Sequence, residues 1–264
     1  MLAKRIISSI ILLCIFFGTL FVDWLFGLLI IIFTIAGLYE FFTMLENKGI
    51  NIYKYFGIGI GTIIPFSILF RFELTRNWEL LCIILMLLFL ILMQFRRRES
   101  SGVIVAISTT IFGIMYVSWL MSFFIKIRYL ADGVGLVLTI ILITKLGDIG
   151  AYFIGTKFGK TPLIPRISPK KSVEGAVAGL IFSLLGALAT KPFLNLSYLQ
   201  LIFLGISLGI LGQLGDLSES LIKRDCQVKD SGHILPGMGG VLDFIDSLLF
   251  TAPAFYFLMS VILK

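Results

Sequence analysis

The chain predicts an all-α polytopic integral membrane protein. Of its 264 residues, 58% are apolar and only 14% are charged, where a soluble domain has about 45–50% and about 25%. Apolar runs of roughly 18 residues or more recur along most of the length, enough to cross a bilayer. The short alternating segments that mark a transmembrane barrel are not seen. No polar linker sets off a soluble part, so residues 1–264 are expected to form a single polytopic membrane domain.

About nine transmembrane helices are expected, at 6–22, 24–43, 55–71, 78–95, 103–125, 133–154, 173–190, 198–215 and 241–262. The first follows Lys4 and Arg5, as a signal peptide would, but runs into Asp23-Trp24 without a small-residue cleavage site. It reads as a retained span. The second to fifth carry little chemistry. Glu40 is their one carboxylate at membrane depth, read as an interfacial or helix-paired acid, and Arg96-Arg97-Arg98 is read as a topological anchor. Residues 1–130 are thus mainly scaffold. The sixth span contains Lys145 and Asp148, the seventh follows Ser172-Val173-Glu174, a plausible helix cap, and the last opens with Asp243 and Asp246. Residues 131–264 form the chemically rich half.

Loop charges fix an expected orientation. With the N-terminus inside, Lys48, Lys54, Arg96, Arg97, Arg98, Lys157, Lys160, Arg166, Lys170, Lys171, Lys223, Arg224 and Lys229 join Lys4 and Arg5 on the cytoplasmic side. The outer side keeps Arg71, Arg76, Lys126, Arg128, Lys191 and Lys264. This follows the positive-inside rule and brings two rich loops, 155–172 and 216–240, to one side. The net charge of +7 is accounted for in the same way, and no nucleic-acid platform of interleaved aromatic and basic residues occurs. Cys14, Cys82 and Cys226 are scattered and His233 is the single histidine, so a disulfide framework, a zinc site and a histidine-based triad are all disfavoured. No internal repeat supports an inverted-repeat transporter.

Between Gly215 and Asp246 the composition changes. The stretch holds Asp216, Glu219, Asp225, Asp230, Asp243 and Asp246 together with Lys223, Arg224 and Lys229. Charges beside lipid are costly, and a cluster of them marks a functional site. Asp243 and Asp246, three apart, share a helix face. Asp216 ends the eighth span with Ser220 one turn on. Two helix ends presenting carboxylates can converge on Mg2+, which prefers oxygen ligands and is commonly completed by substrate phosphates. Lys223, Arg224 and Lys229 suit phosphate, and Gly232, Gly237, Gly239 and Gly240 allow a tight turn. This combination suggests phosphoryl or nucleotidyl transfer. A solvated loop with helix-end charges explains the lysines but explains Asp243 and Asp246 poorly. In the second loop, Asp148 points to function or to an ion pair with Lys145. Lys170 and Lys171 are candidate partners of a phosphate headgroup or nucleotide. Gly155, Gly159 and Lys160 do not make a Walker A loop.

The run Ser220-Leu-Ile-Lys223-Arg224, then Lys229-Asp230-Ser-Gly232, then Leu-Pro-Gly-Met238-Gly239-Gly240-Val-Leu-Asp243-Phe244-Ile-Asp246 closely resembles the signature of phosphatidate cytidylyltransferases. Asp148-Ile-Gly-Ala-Tyr152, Gly155, Phe158-Gly159-Lys160 and Ser168-Pro-Lys170-Lys171-Ser-Val-Glu174-Gly175 resemble that family's other block. The motifs cover roughly 147–246. The family usually has histidine at Met238, arginine at Phe244 and threonine at Ser172.

The resemblance implies a bacterial inner-membrane enzyme, with cytoplasmic active-site loops, that joins CTP and phosphatidate into CDP-diacylglycerol and pyrophosphate. It implies Mg2+ held by Asp216, Asp243 and Asp246, with room for a second cation, and catalytic roles for those carboxylates with Lys223 and Arg224. Implied substrate-binding positions are Asp148, Lys160, Ser168, Lys170, Lys171, Glu174, Ser220, Lys229, Asp230, Gly239 and Gly240. A homodimer is implied by the family alone. The alternatives are a CTP-dependent polyprenol or dolichol kinase, an ion-coupled transporter, and an inactive paralogue motivated by Met238 and Phe244.

Overall fold

The computed structural model describes residues 2–71, 76–95, 101–192, 194, 196–237 and 239–262, with side chains from Ile10 onward in the first helix and from Ile83 in the fourth. Arg96, Arg97, Arg98, Met238 and the side chains of Lys4, Arg5, Arg76, Cys82 and Lys264 lie outside the described residues. The helices are α1 (Leu2–Leu20), α2 (Asp23–Asn47), α3 (Lys54–Leu69), α4 (Arg76–Gln94), α5 (Val103–Gly113), α6 (Leu120–Arg128), α7 (Gly133–Phe158), α8 (Val173–Ala189), α9 (Tyr198–Asp225) and α10 (Val241–Ile262). A π-helical stretch, Ile114–Trp119, makes α5 and α6 one continuous rod. Each expected apolar segment is helical.

Five of these rods are long and apolar enough to cross a membrane: α2, Val103–Arg128, α7, α9 and α10. The helices α3, at 16 residues, and α8, at 17, are shorter; at 1.5 Å per residue they reach about 24–26 Å, below the hydrocarbon thickness of about 30 Å.

The chain divides into two compact units, Ser9–Ile125 and Lys126–Lys264 with Met1–Ser8. In the first, the α2–α3 turn is closed by the buried Lys54. Its ammonium lies 2.7 Å from Thr43 Oγ1 and 3.0 Å from Glu46 Oε2, over the Tyr39 ring. Glu40, the carboxylate expected at membrane depth, is buried in α2. The Ser118 hydroxyl, in the π-helical stretch, donates to the Gly61 carbonyl of α3.

The second unit carries the rich loops. Its core is α7, α8, α9 and α10, with Leu136, Ile140, Leu204, Leu208, Ile245 and Leu249 buried. Small residues let these helices approach, as lipid-embedded packing requires. Gly147 of α7 faces Ser183 of α8, and Gly209 of α9 faces the same serine. Ser197 starts α9 with a capping box closed by Gln200, satisfying two backbone donors that would otherwise be unpaired. Ser172 caps α8 as its sequence suggests, accepting from the Gly175 N–H at 3.1 Å.

Two local features depart from the expected all-helical plan. A small antiparallel hairpin, β1 (Pro162–Ile164) and β2 (Ser168–Ser172), occupies the loop before α8. Helix α9 runs on past the expected end at 215 to Asp225. Asp216, Glu219, Ser220, Lys223 and Arg224 are therefore helical, and the loop begins only at Cys226.

Candidate active site

The site is built where α9 meets α10. Gly215 makes that meeting possible, because a Cβ there would collide with the Asp246 carbonyl oxygen. The close approach sets Asp216, the next residue on α9, beside Asp246 on α10. Asp216, Lys145 and Asp148 all act electrostatically on Asp246. Gly215→Ala is expected to wedge the helices apart at a cost of about 1–3 kcal/mol, the usual range for overpacking. The thermal midpoint in detergent should fall accordingly.

Three carboxylates present one engaged and one free oxygen. Asp216 Oδ1 receives the Lys171 ammonium at 2.7 Å. Asp246, only 8% exposed, accepts the Ser247 N–H on Oδ1. Asp148 Oδ2 takes the Ser247 hydroxyl at 2.8 Å and the Lys145 ammonium at 3.1 Å. No protein donor among the described residues reaches the second oxygen of any of the three.

Asp243 is different. Its Oδ1 receives Lys223 at 2.6 Å. Its Oδ2 accepts the Ser231 N–H at 2.9 Å, the Ser231 hydroxyl at 3.0 Å and the Gly240 N–H at 2.7 Å. Oδ2 is spent on folding the 231–240 loop onto α10, and Oδ1 on the Lys223 ammonium of α9. Gly239 completes this clamp with φ +103, a conformation disfavoured for side-chain-bearing residues, and a Cβ there would lie 2.6 Å from Asp243 Oδ2. Asp243 and Asp246 thus face different partners despite their three-residue spacing. Among the described residues no three carboxylate, imidazole or thiol groups converge as a metal cage. The free oxygens of Asp216 and Asp246 suit a hard cation whose remaining ligands come from phosphate.

The sequence profile of the cytidylyltransferase family matches residues 3–262. The chain belongs to this family. It is 33% identical over 298 aligned residues to the phosphatidate cytidylyltransferase of Synechocystis sp., covering 98% of this chain and 97% of that protein. It is 42% identical over 149 residues to that of Bacillus subtilis, covering 55% of each. With that of Thermotoga maritima it shares 36% over 172 residues, 62% of this chain and 63% of the relative.

Within this cytidylyltransferase the cations are distributed differently from their sequence neighbourhood. Lys170 and Lys171 lie on β2, where successive side chains point to opposite faces. Lys171 turns inward to Asp216 and comes within 3.4 Å of Ser220 Oγ, while Lys170 is exposed. Lys223 is held between Asp243 and Glu219. Arg224 spends its Nε on the Ile167 carbonyl at 3.1 Å and ties α9 to the hairpin. Lys160, Lys229 and Asp230 are exposed, and Ser168 opens β2. Glu174 accepts the Lys160 N–H, and the N–H and hydroxyl of Thr161, so it anchors the α7–β1 junction from the first turn of α8.

Four residues with clear roles were not singled out for the site by sequence. Glu219 is fully buried and its carboxylate faces the Lys223 ammonium as an ion pair without hydrogen-bond geometry. The Glu-to-Lys spacing of four was the available signal. Ser231 lies within the signature run but its partner Asp243 is twelve residues away, and Ser247 lies just past the run, with Asp148 and Lys145 reaching it from α7. Lys145 was visible only as a competing ion pair, yet it also reaches α10.

Proposed function

We propose that this chain is a membrane nucleotidyltransferase that converts CTP and phosphatidate to CDP-diacylglycerol and pyrophosphate in phospholipid biosynthesis. The observation that carries this reading is the end-to-end similarity to the Synechocystis phosphatidate cytidylyltransferase. The juxtaposition of Asp216 and Asp246 beside a cationic hairpin supports it. In the reaction, a phosphate oxygen of phosphatidate attacks the α-phosphorus of CTP. The bond from that phosphorus to the β-bridging oxygen breaks, and pyrophosphate leaves. A phosphomonoester is largely ionised near neutral pH, so no general base is required and the single histidine is no obstacle.

The residues must instead bring two anions together. Asp216 and Asp246 would hold Mg2+, which would supply charge neutralisation at the phosphate oxygens. Asp243 acts by shaping the loop and holding Lys223. Lys171 is set to exchange Asp216 for a phosphate oxygen, and the exposed Lys160, Lys170 and Lys229 offer charge to the triphosphate or lipid phosphate. Asp148 and Ser220 line the same end of the helices, and Gly239, Gly240 and Asp230 belong to the loop that closes on it.

The reading further includes nine crossings, with α1, α3, α4 and α8 completing the five long rods. The N-terminus and both loops face the cytoplasm of a bacterial inner membrane, and the protein is a homodimer without nucleic acid. The relatives do not favour a lipid kinase, a transporter or an inactive paralogue.

The test uses inverted membrane vesicles and purified protein with phosphatidate, Mg2+ and CTP labelled at either the α- or the γ-phosphate. Lipid-bound label is expected only from α-labelled CTP added to the cytoplasmic face. Label from the γ position would identify a kinase, and no label under varied lipid and metal would identify an inactive chain. Activity confined to the opposite face would reverse the orientation.

A further inference from the structure

Between Asp243 and Asp246 the chain places Phe244, which brings no charge to the acidic end of α10. The cations found there come from other helices: Lys223 of α9 pairs with Asp243, and Lys145 of α7 serves the Asp246 side. Lys145 of α7 puts its ammonium 3.1 Å from Asp148 Oδ2, 3.1 Å from the Phe244 carbonyl oxygen and 3.1 Å from Ser247 Oγ. It sits 5.2 Å from the Phe244 ring centroid. An ammonium has three N–H donors, and here each has its own acceptor. Lys145 therefore has no donor to spare for a substrate phosphate.

Its geometry serves the neighbouring carboxylates instead. Ser247 donates to the same Asp148 Oδ2, so that oxygen is held from two sides and Oδ1 stays open. Ser247 also gives its backbone N–H to Asp246 Oδ1. One ammonium thus bears on both acids through one serine. A surface i,i+3 pair would need only Asp148. This side chain, 29% exposed, spends its other two hydrogen bonds across the helix boundary.

We propose that Lys145 is a positioning residue for the transfer reaction. It staples α7 to the first turns of α10, orients Asp148 and Asp246 toward the substrates, and provides the positive charge that position 244 does not. This inference rests on the cytidylyl-transfer reading above.

The experiment measures kcat, both KM values and the Mg2+ concentration for half-maximal rate in purified full-length protein. Outer-shell partners of this kind typically change activity or metal affinity by about 10–100-fold. Lys145→Met is expected to lower kcat in that range, raise the Mg2+ requirement and leave KM for CTP little changed. Lys145→Arg should recover most of the rate. The double variant Lys145→Met with Phe244→Arg should recover part of it, because the charge returns from α10. Wild-type kcat and Mg2+ dependence in Lys145→Met would overturn the proposal. So would a loss that neither Lys145→Arg nor the relocated charge relieves, since that marks a packing role. An inactive wild-type chain would overturn the functional reading and this inference with it, whereas an active wild type with an indifferent Lys145→Met overturns this inference alone.

Discussion

Asp246→Asn is expected to lower turnover by about a hundredfold or more, comparable to removing one preorganised electrostatic group from an active site. Asparagine keeps the shape of the side chain. Its amide oxygen can still accept the Ser247 N–H that Asp246 Oδ1 accepts now. What disappears is the carboxylate oxygen that would hold a cation, in a nearly closed site shared with Asp216, Lys145 and Asp148. Stability and activity should therefore separate. The thermal midpoint in detergent should hold, because the side chain keeps its shape and its contact with Ser247, while the rate collapses. Turnover with CTP, phosphatidate and Mg2+ checks the rate, and an Asp246→Asn protein with full activity would remove the metal role from this residue.

Asp243→Ala should produce the opposite pattern. Here the carboxylate is the knot of a folded loop, with Lys223 on one oxygen and Ser231 and Gly240 on the other. Removing one partner of a buried charge pair costs about 3–5 kcal/mol. Lys223 keeps Glu219, which limits the loss on that side. Ser231 and Gly240 lose their acceptor, so the 229–240 loop should open. Limited trypsin digestion reads this directly, as new cleavage after Lys229. Activity falls as well, but together with the thermal midpoint rather than apart from it. A protected loop and an unchanged midpoint would exclude the clamp.

The contrast between these two aspartates shows where sequence stops being enough. Hydrophobic run length located every helix, because burial in lipid leaves few other ways to satisfy a backbone. It missed the end of α9 because hydropathy falls at Asp216 while the helix continues, carried by the Glu219–Lys223 spacing. The hairpin was missed because its strands are short, β2 is polar, and each strand contains a proline. With it went the division of labour between Lys170 and Lys171, which depends on strand alternation. Spacing put Asp243 and Asp246 on one helical face but could not say that Ser231 and Gly240 would reach the first. Motif resemblance identified the chemistry. Tertiary contact decided which oxygens remain free to perform it.

Helix α9 also acts as a ruler. It is a single rod of 28 residues, about 42 Å long at 1.5 Å per residue, against a hydrocarbon layer of about 30 Å. Its capped start carries exposed Tyr198, an aromatic of the kind that anchors at the lipid–water boundary. Asp216 lies eighteen residues further on, about 27 Å along the axis. Anchored at one leaflet, the rod would carry Asp216 close to the far boundary of the hydrocarbon layer, near where the proposed lipid substrate would present its phosphate. A thicker or thinner bilayer must be met by tilt or by local deformation of the lipid, and either would carry Asp216 relative to that plane. On the proposed reading, membrane thickness would thereby enter the alignment of acid and lipid phosphate.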